Sequence, residues 1–455
     1  MARLGWILVL VALAVTALWR ATPLAPARVL AAEEEEEEAG GKKALVTTEF
    51  VGDLANLPPN GKRGTPNRAY VSNEQGNSIT VIDTVKDEIV ASIKVGRRPR
   101  GIGLSPDHSR LYVATSGEDA IEVIDLASYQ SIGRLPGGSD PEAFAVHPDG
   151  RRLFLSNEDT ASATVIDTHT GKIVKVIKVG IEPEGVGASP DGKWVYITNE
   201  STHSIDVIDT TKLEVTGTVL VSTRPRVIKF SSDSKFAFVT TELGGNLHVI
   251  DTATRKEIKK LGLKEKDEKL VGAAVSPDGK RVYVATGSGN SVKAVDTATW
   301  EVLGTVPVGR RVWGIALTSD GKKLYTCDGV SNTVSVIDTT SQKIVAQLNA
   351  GSEMTGINFA LGGRKAYVIS RGEATVYVFD TQTFGMVTRL KIGTNVGLET
   401  AATTADGAKI YLASSTDDAV YVIDAQTDKV TRIADVGRYP WGVSILAAGS
   451  PNYCH

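Results

Sequence analysis

One short frame recurs along this 455-residue chain with its charged residues reversed. Arg98-Pro99-Arg100 becomes Asp140-Pro141-Glu142, then Glu182-Pro183-Glu184, then Arg224-Pro225-Arg226. Arginines in such a slot can grip a carboxylate or phosphate through two parallel N–H donors. Glutamates there would instead pair with those arginines, Glu184 with Arg226 and Glu142 with Arg100, and tie neighbouring repeats together. A second acidic set, Glu74, Glu158, Glu200 and Glu242, follows SN, TN or TT each time. Clustered carboxylates suit a hard cation, so Ca²⁺ is the metal to consider. Their spacing is not that of a calcium loop, and solvated loop acids are the expected reading.

Other chemistry is thinly represented. Of six histidines, His108, His147 and His169 fall in or beside two kinds of repeated turn, His248 lies in a strand, and His455 is terminal. Only His203 shares the variable face with the charged slots, which supports neither acid–base work nor a multi-histidine metal site. No CxxCH, P-loop or GxSxG elbow is present. The expectation is a chain without catalytic residues, bound cofactor or metal.

The elements that place these residues are strands. An apolar residue followed by aspartate recurs at Asp83, Asp125, Asp167, Asp209, Asp251, Asp296, Asp338, Asp380 and Asp424, at intervals of 42, 42, 42, 42, 45, 42, 42 and 44. A period near 42 without helical patterning marks a β-propeller with one four-stranded blade per repeat. In one unit GIGLS (101–105) suits the crowded inner strand A, RLYVAT (110–115) strand B, AIEVID (120–125) strand C and YQSIGRL (129–135) the outer strand D. The first repeat lacks strand A and the chain ends in a lone one, WGVSIL (441–446), so the last strand should complete the first blade and remove the open edge. The fold class is thus all-β, a single closed propeller of nine repeats, with seven or eight blades as the fallback count.

In such a blade the A–B and C–D turns share one face, and the D–A and B–C connectors the other. The SPDG and VIDT turns are nearly uniform and read as structural, their aspartates capping the backbone. Variation collects opposite, where the residue just before each strand A should ring the channel mouth: Arg100, Glu142, Glu184, Arg226, Val271, Trp313, Thr355, Glu399 and Trp441. Arg98 and Arg224 flank them. Trp313 and Trp441 read as stacking platforms or as channel plugs. Loops on a rigid scaffold are where binding residues usually sit.

AYVSNEQGNSITVIDT, WVYITNESTHSIDVIDT and RVYVATGSGNSVKAVDT resemble the YVTN β-propeller repeats over residues 66–446. The connectors GRRPRGI, IEPEGV, TRPRVIKF, GRRVWGIAL and GRYPWGV are similar to those of the propellers associated with PQQ-dependent catabolism. That resemblance implies an exported accessory of periplasmic quinoprotein oxidation, with PQQ itself not expected on this chain. Two extra repeats, roughly 324–408, depart from the seven-bladed pattern of that family.

The ends and the charge bound the rest. GWILVLVALAVTAL (5–18), preceded by Arg3, has the layout of a signal peptide, with 1–32 as leader or anchor and the glutamate-rich 33–44 as linker. Residues 45–448 would form the propeller and 449–455 a tail. A formal net charge of −3 and acidic mouth residues argue against nucleic acid. Strand directions place Cys454 on the face opposite Cys327, so no bridge between them is expected. The reading is a monomeric, periplasmic or surface binding propeller for a partner protein or small polar ligand. Alternatives are a lactonase-like enzyme and a cell-surface structural protein.

Overall fold

The structure is a computed structural model that describes residues 47–48, 63–105, 107–136, 144–168, 170, 172–263, 269–394 and 396–445. The expected leader 1–32, linker 33–44 and tail 449–455 lie outside the described residues. The chain parts into Met1–Ala44 and Leu45–His455, and all described elements belong to the second unit.

Nine antiparallel sheets, one per repeat, form the blades of a β-propeller. Blade 2 is representative, with strand A at Pro99–Leu104, B at Arg110–Thr115, C at Ala120–Asp125 and D at Gln130–Pro136. The helical content among the described residues is two 3-10 turns, Ser116–Glu118 and Glu158–Thr160. Closure follows the expected route: Pro440–Ile445 pairs with Arg68–Asn73 of blade 1, Ala69 opposite Ile445 and Val71 opposite Val443. A fifth strand on blade 1 was not legible in the sequence. Thr47–Thr48 runs parallel to Glu88–Lys94, Thr47 opposite Ser92, and two residues carry no periodic signal.

Each B strand carries a large aromatic at its third position. Tyr70, Tyr112, Tyr196, Tyr325, Tyr367, Tyr411, Phe154 and Phe238 are fully buried. Tyr70 packs with Leu111 and Val113 of blade 2, and Tyr325 with Ala366 and Val368 of blade 8. Each such ring wedges one blade against the next, and full burial of a large apolar side chain contributes about 1.5–3 kcal/mol.

The A–B/C–D face, here the foot, repeats one set of bonds. A hydroxyl donates to the aspartate two residues on in Ser105–Asp107, Ser189–Asp191, Ser231–Asp233, Ser276–Asp278, Thr318–Asp320 and Thr404–Asp406. The aspartates ending strand C cap their own turns as expected: Asp209 Oδ1 accepts the amides of Thr211 at 2.8 Å and Lys212 at 2.9 Å. Blades are also laced together here. Arg110 donates to the Thr168 carbonyl, Arg281 to that of Thr339, and Lys409 to that of Thr84 across the closure.

Cys327 corrects one expectation. It is buried between blades 7 and 8 and is disulfide-bonded, and the only other cysteine in the sequence is Cys454, which lies outside the described residues. Strand direction alone does not exclude such a bridge. The nine residues from Ile445 to Cys454 can extend about 30 Å, further than a six-residue strand is long.

Candidate functional site: the channel mouth

The mouth is built by two loops that are pinned together within each blade. Arg98, Glu182, Arg224, Arg311, Glu353 and Tyr439, each just ahead of or at the start of a strand A, adopt left-handed backbone with φ between +48° and +64°. The carbonyl of each accepts an amide from just past strand B of the same blade. Glu74 N–H donates to Tyr439 O at 2.9 Å, Glu200 to Glu182 at 2.8 Å and Glu242 to Arg224 at 2.9 Å. A non-glycine residue in this conformation costs of order 1 kcal/mol and persists only where its surroundings over-determine it. The result is that the acid ending strand B is held beside the start of strand A.

The residues expected to ring the mouth sit further along the chain's strands than the sequence reading places them. Arg100, Glu184, Arg226, Trp313, Thr355, Glu399 and Trp441 occupy the second position of strand A rather than the residue before it. Val271 precedes the short strand Ala273–Val275. Glu142 lies outside the described residues.

Between blades 1 and 2, the Glu74 carboxylate receives Arg100 Nε at 3.2 Å and Arg98 Nε at 3.6 Å. The Arg100 guanidinium carbon also stands 5.9 Å from the ring centroid of Trp441, a cation–π placement. Tyr439 stacks on the same indole, centroids 6.3 Å apart and planes 10° apart. Arg311 repeats the arrangement over Trp313 at 5.4 Å. Both tryptophans are half-buried, so neither is a sealed plug.

Blades 4 to 6 carry the densest network. Arg226 pairs with Glu184, with Glu242 at 3.2 Å and with Glu200 at 3.7 Å. Arg224 pairs with Glu200 and, at 3.6 Å, with Glu242, which Lys269 also meets at 3.6 Å. Burial, followed by its hydrogen bond with Glu200, pushes the Glu184 carboxyl up to about 7, against the pull of Arg226. Glu200 moves the other way. Burial raises it, but the Glu184 proton and the two arginines more than offset this and hold it below the usual range. The two acids therefore titrate as a coupled pair, with the protonated form favoured on Glu184 and the charged form on Glu200.

Between blades 8 and 9, Glu399 is 2% exposed and meets Arg371 at 3.3 Å and the Ser415 hydroxyl at 2.7 Å. Glu158 stands exposed at the start of its 3-10 turn. Arg371, Lys269 and Arg311 are mouth residues that the sequence reading did not single out. Arg371 follows strand B in the slot that holds Glu74 and Glu200 in other blades, so its signal was a cation where the repeat elsewhere places an acid. The four loop acids do not gather around a point, and among the described residues no group of three or more metal-binding side chains is placed to hold an ion.

Sequence comparison matches residues 111–229, about a quarter of the chain, to the Cytochrome D1 heme domain family. No curated protein matches the chain. Among solved structures, dihydro-heme d1 dehydrogenase NirN is similar with a TM-score of 0.57 and 17% identity over 73% of this chain and 75% of that one. Kuenenia stuttgartiensis hydrazine synthase matches at TM-score 0.46 and 24% identity, covering 62% of this chain and 96% of that one. A functionally unknown protein from Desulfotomaculum acetoxidans matches at TM-score 0.44 and 17% identity, over 67% and 99% of the two chains. The heme-domain match overturns the expectation of a chain without a cofactor, which rested on the missing CxxCH and on scarce histidines. Those signals report only covalent or multi-histidine attachment, so their absence does not speak against a tetrapyrrole bound in another way. This chain is a nine-bladed β-propeller, similar over residues 111–229 to a heme domain.

Proposed function

We propose that this chain is an exported binding propeller whose mouth holds a planar, carboxylate-bearing ligand of the tetrapyrrole class. The observation that carries this reading is the placement of a guanidinium over an indole at two points, Arg100 on Trp441 and Arg311 on Trp313. Indole faces suit a flat conjugated ring, and arginines suit its carboxylates. The ion pairs with Glu74 hold Arg98 and Arg100 in place before a ligand arrives.

The residues also fit an iron at the centre of such a ring. His203 is exposed on the mouth side of blade 4, and its Nδ1 donates to the Glu200 carbonyl at 2.7 Å, so its Nε2 would be the nitrogen to hold an iron. Glu200 belongs to the network of Arg224 and Arg226, so cations for the ring's carboxylates lie next to that histidine. A bound heme would supply redox or gas-ligand chemistry; the chain's own part is to seat the ring and neutralise its carboxylates. The likeness to propellers that accompany quinoprotein oxidation supports placing the protein in periplasmic electron-transfer metabolism. Among the described residues, none of the clusters speaks for the lactonase-like or cell-surface alternatives.

Titrating the purified chain with ferric protoporphyrin IX and with the metal-free porphyrin tests this. The expected result is a saturable Soret shift with both, and a His203→Ala variant that alters only the iron spectrum. Free-porphyrin spectra in the presence of excess protein would overturn it.

A further inference from the structure

One turn of the foot lacks both the hydroxyl and the aspartate, and a cavity lies beside it. Blade 8 lacks the hydroxyl and aspartate that close the A–B turn in six other blades, and carries Ala360-Leu361-Gly362-Gly363 instead. Gly362 and Gly363 sit at φ +66° and +86°, and a Cβ built on either would meet nothing within 4 Å. The turn is fixed all the same, because Leu361 N–H donates to Gly407 O of blade 9 at 3.0 Å. The missing side chains leave a half-open cavity of about 390 Å³ between blades 7, 8 and 9. That lies within the size range of small-molecule pockets, about 300–1,000 Å³.

Its lining has a definite chemistry. Asn358, on strand A of blade 8, is 8% exposed, faces the cavity and has no hydrogen-bonding partner for its amide among the described residues. The amide itself opens onto the cavity, so both its oxygen and its NH₂ are free to meet a ligand's donor and acceptor. The Ser319 and Thr403 hydroxyls also line the space without a side-chain bond of their own. Asp406 Oδ1 is engaged by the Thr404 hydroxyl at 2.6 Å and the Ala408 amide at 2.9 Å, which leaves Oδ2 as an acceptor. Leu317, Phe359 and Ala402 form the apolar wall, and Phe359 is set edge-on against Tyr325 with centroids 5.1 Å apart.

We infer that this cavity binds a neutral, polyhydroxylated molecule of monosaccharide size. A carboxamide that both donates and accepts, two hydroxyls and a carboxylate oxygen match adjacent ring hydroxyls, while the phenyl and aliphatic wall takes the C–H face. The carboxylate at the rim disfavours anions, the reverse of the arginine-rich mouth. Nothing in this inference depends on what the mouth binds.

Saturation-transfer NMR on the full chain with millimolar glucose, galactose and mannose tests the assignment, with glucose 6-phosphate as the charged control. Transfer to at least one neutral sugar is expected, weakened at least tenfold in Asn358→Leu, with the melting temperature and the porphyrin titration unchanged. Ser319→Trp, which blocks the cavity from its exposed rim without touching the core, should abolish transfer too and serves if Asn358→Leu fails to fold. No transfer to any neutral sugar, equal transfer in Ser319→Trp, or tighter binding of glucose 6-phosphate than of glucose would each overturn it.

Discussion

The two faces of this propeller use the same repeat to opposite ends. At the foot, a hydroxyl and an aspartate two residues apart form one bond six times over, within one turn and with one polarity. At the mouth, one slot is arginine in blades 2 and 5, glutamate in blades 4 and 9, and tryptophan in blades 1 and 7. Foot residues are chosen by local backbone geometry, which every blade shares. Mouth residues are chosen by what the neighbouring blade presents, so Arg226 has to be understood with Glu184, Glu200 and Glu242 together. Where the foot breaks its own rule, at blade 8, a cavity opens.

The harshest way to break the contrast is to remove Pro440–Ile445, which supplies both the inner strand of blade 1 and Trp441. Truncation after Tyr439 exposes a full sheet edge. It should abolish the cooperative monomeric fold, seen as aggregation in sedimentation and loss of a single thermal transition. A well-folded monomer would mean that the ring does not need its closure.

Next comes Arg226→Glu, which places a fourth carboxylate among Glu184, Glu200 and Glu242. Because these groups are part-exposed, a loss of about 2–3 kcal/mol is expected, below the cost of breaking a fully buried pair. Denaturant unfolding measures it, and a loss under about 0.5 kcal/mol would reduce the network to surface decoration.

Arg100→Glu should act on ligand more than on fold. Its pairs are surface-accessible, so stability changes little, while porphyrin affinity falls at least tenfold, about 1.4 kcal/mol. A large drop in melting temperature without a change in binding would assign Arg100 to structure alone.

Glu184 gives a smaller and pH-dependent effect. Its folded pKa, near 7, lies above that of an unfolded glutamate. The folded state therefore favours the protonated form. Its contribution is complete below the unfolded value and lost as pH rises through about 7. Compared with Glu184→Gln, the parent protein should lose melting temperature between pH 5 and 8. Parallel pH profiles would mean that Glu184 is not raised in the folded protein.

Least should happen at a single foot turn. The Ser276 hydroxyl and the Lys280 amide hold the Asp278 carboxyl below its ordinary value, and Asp278→Ala removes one such cap of several. About 0.5–1 kcal/mol is expected from thermal melts, with no change in any binding assay. A change in porphyrin affinity here would mean the faces are coupled.

By itself the sequence determined the all-β class, the blade count and the closure by the last strand. These are readable because period, strand alternation and turn chemistry act over a few residues, and Asp83 or Asp278 satisfies its bonds within its own turn. The tertiary structure decided the rest. Contacts made 16 to 42 residues apart leave no local pattern, so the repeat frame pointed to Glu184 as a partner of Arg226 but not to Glu242, which the ring also brings to it. The bonded state of Cys327, the short strand at Thr47–Thr48 and the cavity-facing amide of Asn358 were invisible for the same reason. Each depends on which blade stands next to which, and that is settled only when the ring closes.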